Sequence, residues 1–129
     1  MGSPLHPINW IAGWLLVLGS FGTGAVIGLH FHREDFLGGY LSFRRRLLRL
    51  GHVALAALGM MNVLFSLSPW PRPDTWTSSV ASAGFLAGGV AMPALCFLTA
   101  WRRPFRHLFA IPVIALVTAV ISTVIGGLP

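Results

Sequence analysis

Four stretches of this chain are long and apolar enough to cross a bilayer, at residues 8–31, 47–67, 77–101 and 105–128. A helix rises about 1.5 Å per residue, so about 20 apolar residues match the roughly 30 Å hydrocarbon layer. The first stretch is uncharged, and the second carries only Arg49 and His52 near its start. No apolar–polar alternation marks a strand, and helices satisfy their own backbone hydrogen bonds inside lipid. The links 32–46, 68–76 and 102–104 are short, so each helix runs antiparallel to the next. The expected fold is all-α: one transmembrane domain over 1–129, an integral membrane four-helix up-down bundle. Composition excludes a soluble globule, since 55% of residues are hydrophobic and 9% charged, too few to coat a water-exposed surface.

Charge sets the expected orientation. Arg33, Arg44, Arg45, Arg46 and Arg49 lie in or beside the first link and Arg102, Arg103 and Arg106 around the third, which leaves Arg72 alone on the other side. Positive residues are retained in the cytoplasm, so 32–46 and 102–104 are expected to be cytoplasmic, 68–76 outside, and both termini out, in the inner (cytoplasmic) membrane. Trp10, Trp14, Trp70 and Trp76 all map to the outer side, where indoles favour the interface. The pI near 11.7 then reflects topology and attraction to anionic lipid head groups rather than nucleic-acid binding. The first helix lacks a basic leader and a small-residue cleavage pattern, and is expected to stay attached. Cys96, the sole cysteine, sits between apolar neighbours and reads as a structural thiol.

Lipid does not press helices together, so small residues that admit close backbones mark the packing faces. Ser20, Gly24 and Gly28 form such a stripe in helix one; Ser78 with Ser82 and Gly84 with Gly88 in helix three; and Thr118, Ser122 and Gly126 in helix four. Pro93 and Pro112 are expected to bend helices three and four. Asp74, the one carboxylate of the outer link, is expected to cap helix three.

Histidines are costly in spans unless they face the bundle interior or a wet cavity. His30 and His32 end helix one, His52 opens helix two and His107 opens helix four, so all four are expected near the cytoplasmic face, with His6 outside. His52, Gly59, Asn62 and Ser66 follow helical spacing and suggest an inward stripe, and His107 aligns with Thr118 and Ser122. Two inward imidazoles on different helices can ligate a haem iron, so His52 and His107 are the candidate ligands of a haem b between helices two and four. Gly59, with Ala56 and Gly28, would give the macrocycle room, and Arg49, Arg106 or Arg45 would bind its propionates. His30, His32, His52 and His107 also form a candidate metal set, with Glu34 and Asp35 beside them. A quinone head group is a further candidate partner, because histidine exchanges protons near neutral pH. No Gly-x-Ser-x-Gly elbow or phosphate loop occurs, and no carboxylate lies in a span.

Arg46-x-x-Arg49-x-x-His52 and Arg106-His107…Pro112, set in this topology, resemble the small four-helix membrane proteins encoded with haem–copper oxidases, the DUF420-like maturation factors. That resemblance implies a role in electron-transfer complexes or their maturation in an energy-transducing membrane. The alternative expectation is a non-catalytic accessory or scaffold subunit packed against membrane-protein partners. A metal-dependent membrane enzyme is the third, although independent catalysis is not expected.

Overall fold

A computed structural model describes residues 6–128. Four helices, α1 (Pro7–His30), α2 (Phe43–Leu67), α3 (Trp76–Trp101) and α4 (Ala110–Gly127), account for most of it, and there is no strand among the described residues. All four spans are long and apolar enough to cross a membrane. The chain is a small multi-pass membrane protein with an all-α four-helix fold.

Helix boundaries follow local chemistry. Pro7 opens α1, where a missing N–H costs nothing. Ser42 caps α2 by accepting the Arg45 N–H at 3.2 Å, and helix two therefore begins before 47. At α3 the cap is Thr75, which accepts the Ser78 N–H at 3.2 Å. The expected Asp74 cap is displaced by one residue, and Asp74 instead takes a left-handed turn conformation, φ 72°. Arg103–Phe109, beyond α3, winds as a 3-10 helix and only Ala110 onward is α-helical, so the α-helix starts later than 105. Pro112 falls in the first turn of α4, where backbone N–H groups have no helical acceptor, so it does not interrupt the ladder as expected. Pro93 does lie inside α3 and is buried there.

Neighbours in sequence are neighbours in space. α1 packs along α2, α2 along α3 and α3 along α4, while α1 touches α3 over a smaller area. No extended contact joins α1 or α2 to α4. The packing is made by small residues. A methyl group placed on Gly59 of α2 would lie 2.8 Å from the Gly13 carbonyl oxygen of α1, and one on Gly84 of α3 would lie 2.6 Å from the Ala115 oxygen of α4. Such approaches let the backbones touch, which is how helices gain dispersion energy where lipid supplies no hydrophobic drive. A compact core of Phe65, Ala81, Phe85 and Ala119 ties α2, α3 and α4 together near the tryptophan-bearing end.

Candidate functional site

Polar side chains inside the spans are the natural place to look for chemistry, because burying them unpaired is expensive. Three groups of them bond across helices or to the first link, whereas Thr99 Oγ1 of α3 is buried without a partner.

The first pins α1, α2 and α3 together. Asn9 and Asn62 are both essentially inaccessible. The Asn9 Nδ2 donates to Asn62 Oδ1 at 2.9 Å, and Ser82 Oγ donates to Asn9 Oδ1 at 2.5 Å. Asn62 Nδ2 in turn donates to the Leu58 and Phe85 carbonyls at 2.9 and 3.0 Å. Both amide groups are thus satisfied on their oxygen and nitrogen. Sequence reasoning passed over Asn9; a lone asparagine two residues into an apolar span was the available signal.

The second group holds His52. The Cε1 corner of its ring approaches Gly24 of α1, where an added methyl would come within 2.9 Å of it. Nδ1 is 3.1 Å from Thr23 Oγ1 and 3.5 Å from Ser20 Oγ. The Thr23 hydroxyl has one proton, and the Gly19 and Ser20 carbonyls, each 3.0 Å away, compete for it. Its lone pairs are then free to accept from a ring protonated on Nδ1. This is a helix-to-helix latch between α1 and α2.

Arg45 forms the third. Almost wholly buried, it turns its guanidinium back under the link that follows α1. Nε donates to the Phe36 carbonyl at 2.6 Å, Nη1 to that of Phe31 at 3.4 Å, and Nη2 to that of Arg33. The Phe31 ring lies 4.8 Å from the guanidinium carbon and that of Phe36 5.8 Å. The planar fork therefore gathers three carbonyls of the link that follows α1, of which those of Arg33 and Phe36 also accept turn bonds from the Phe36 and Gly39 N–H groups.

The remaining candidate residues lie elsewhere. His107 is exposed in the 3-10 segment, where Arg106 Nε reaches its Nε2 at 3.4 Å. His52 faces α1 and His107 the surface beside α4, so the two imidazoles are not presented to a common space. Gly59 is closed off by Gly13 and Val17 of α1 rather than open towards α4. Arg49 covers the Tyr40 ring at 4.6 Å and donates to the Tyr40 carbonyl at 3.3 Å. His30 Nδ1 bonds the Val26 carbonyl at 2.9 Å, and His32 is exposed. Among the described residues no three His, Cys, Asp or Glu side chains gather into a set that suits a metal ion. These residues do not fit a haem held by His52 and His107 together.

No protein-family model, no curated protein and no solved structure matches the chain.

Proposed function

We propose that the chain is a non-catalytic accessory subunit of a larger membrane assembly, seated in the cytoplasmic membrane with its Arg-rich links in the cytoplasm. One observation carries this reading. The Asn9 and Asn62 amides, the His52 imidazole and the Arg45 guanidinium are engaged with one another, with hydroxyls or with backbone carbonyls, which is what a scaffold needs and leaves little for a substrate.

The shape supports it as well. α1 and α4 each bury one narrow side, and both leave a broad apolar face, including Ile114, Ile121 and Val124 on α4 and Leu15, Leu18 and Phe21 on α1. The arginine asymmetry supports the orientation. An electron-transfer assembly of an energy-transducing membrane is the setting that the resemblance to oxidase maturation factors favours.

Gentle detergent extraction from the native membrane, followed by native gel electrophoresis and a dithionite-reduced absorption spectrum, tests the proposal. The expected result is a colourless protein migrating with a complex well above its own 13.9 kDa. A Soret band that disappears in a His52→Ala/His107→Ala variant would replace this reading with haem ligation.

A further inference from the structure

Contacts between α1 and α3 can be named at the tryptophan-bearing end, where Asn9 meets Ser82 and Leu16 approaches Gly89. Towards the arginine-rich end the two helices leave a cleft of about 530 Å³. Gly22, Val26 and Ile27 of α1 form one wall, Leu48 of α2 the floor, and Phe97 and Trp101 of α3 the other wall. Its walls are almost wholly apolar. The Thr23 hydroxyl, the polar group at its edge, is already engaged with carbonyls and with His52. A quinone carbonyl would find no free donor there, whereas a hydrocarbon chain meets only compatible surface.

A second hollow, of about 420 Å³, adjoins the cleft through two shared residues, Leu37 and Trp101. Its lining is more polar than the cleft's, with Arg44, Arg103 and Ser42 beside Leu37, Phe43 and Trp101. Arg45, Arg49 and Arg106 have their guanidinium groups tied to carbonyls or to His107. Among the described residues Arg44 and Arg103 donate no such bond, and Arg103 only overlies the Phe43 ring at 5.6 Å. The hollow also abuts the first turn of α2, whose N–H groups favour an anion. An apolar cleft thus adjoins a hollow lined by two arginines at the arginine-rich end, with Trp101 at the junction where an indole prefers to lie.

We infer that cleft and hollow together bind one anionic phospholipid, with an acyl chain between α1 and α3 and the phosphate between Arg44 and Arg103. Arginine forks match phosphate oxygens two at a time, and the surrounding positive links disfavour a head group that carries its own cation. The site does not depend on the protein's having a partner.

Native mass spectrometry of the full chain, extracted from vesicles holding equal amounts of anionic and zwitterionic phospholipid of the same chain length, reads the occupant directly. Wild type should retain the anionic lipid with about tenfold preference, Arg44→Ala/Arg103→Ala should lose that preference, and Arg72→Ala at the opposite end should keep it. Both arginines are exposed, so circular dichroism of the double variant should be unchanged. Gly22→Phe tests the tail, because Gly22 lines the cleft and a Cβ added there has no atom within 4 Å; it should lower lipid retention. Equal retention of both lipids by wild type, an undiminished preference in the double variant, or full retention by Gly22→Phe would each overturn the assignment. Displacement of the lipid by excess inorganic phosphate would also overturn it, by showing a free-phosphate seat.

Discussion

His6 shows how much a single ring contributes just outside a span. Its imidazole stacks on Phe65 at 4.5 Å, with the planes 22° apart, and its backbone N–H reaches the Ser66 carbonyl at 3.4 Å. Nε2 is buried without a partner. Burial disfavours the charged ring and lowers its pKa from the ordinary 6.5. The folded state consequently binds this proton less readily than the unfolded chain, so the stability it contributes is complete above 6.5 and is lost as pH falls through the lowered folded value. Thermal unfolding in detergent should show wild type losing more stability than His6→Phe on acidification from about pH 8 to about pH 5, because phenylalanine keeps the stack and cannot be protonated. Identical pH profiles for the two proteins would refute that account.

At the level of the helix, glycine placement decides which surfaces can meet. Gly59 and Gly13 allow α1 and α2 to touch at the backbone, whereas Gly28, in the same small-residue stripe as Gly24, has nothing within 4 Å of a would-be Cβ. Gly59→Leu should therefore destabilise the protein by about 1–3 kcal/mol, and Gly28→Leu should leave it unchanged within about 0.5 kcal/mol, both read by thermal or steric-trap unfolding. The contrast shows what the sequence can tell. Hydropathy located all four helices, because lipid imposes one length and one composition on every span. It merged residues 105–109 of the 3-10 segment with α4, since both are compatible with the same hydropathy window. That segment advances about 120° per residue instead of about 100°, so the alignment of His107 with Thr118 and Ser122 does not survive it. The same phase argument separates His52 from Asn62: ten residues turn a helix about 1000°, some 80° short of three full turns. One therefore latches onto α1 alone, while the other reaches both α1 and α3. Spacing gives a face but not the neighbour that fills it, which is why the polar stripe was legible and the pairing of its histidine was not.

Taken whole, the molecule is polarised along the membrane normal. One end carries Trp10, Trp14, Trp70 and Trp76, and the other carries eight arginines, of which Arg45 is locked into the chain itself. If the basic end is cytoplasmic, a Cys96→Ser protein with Asp74→Cys should react with a membrane-impermeant maleimide applied to intact spheroplasts, and one with Glu34→Cys should react only after the membrane is opened. Both positions are exposed, so failure to label would report the membrane rather than burial. The reverse pattern would invert the proposed orientation and put the phospholipid seat in the outer leaflet.

The succession of packing partners, α1 on α2, α2 on α3 and α3 on α4, has a bearing on biogenesis. After α1, each rod packs along the one translated just before it, so no early segment has to wait in the bilayer for a distant late one. The protein is thereby suited to being built in the order in which the ribosome releases it.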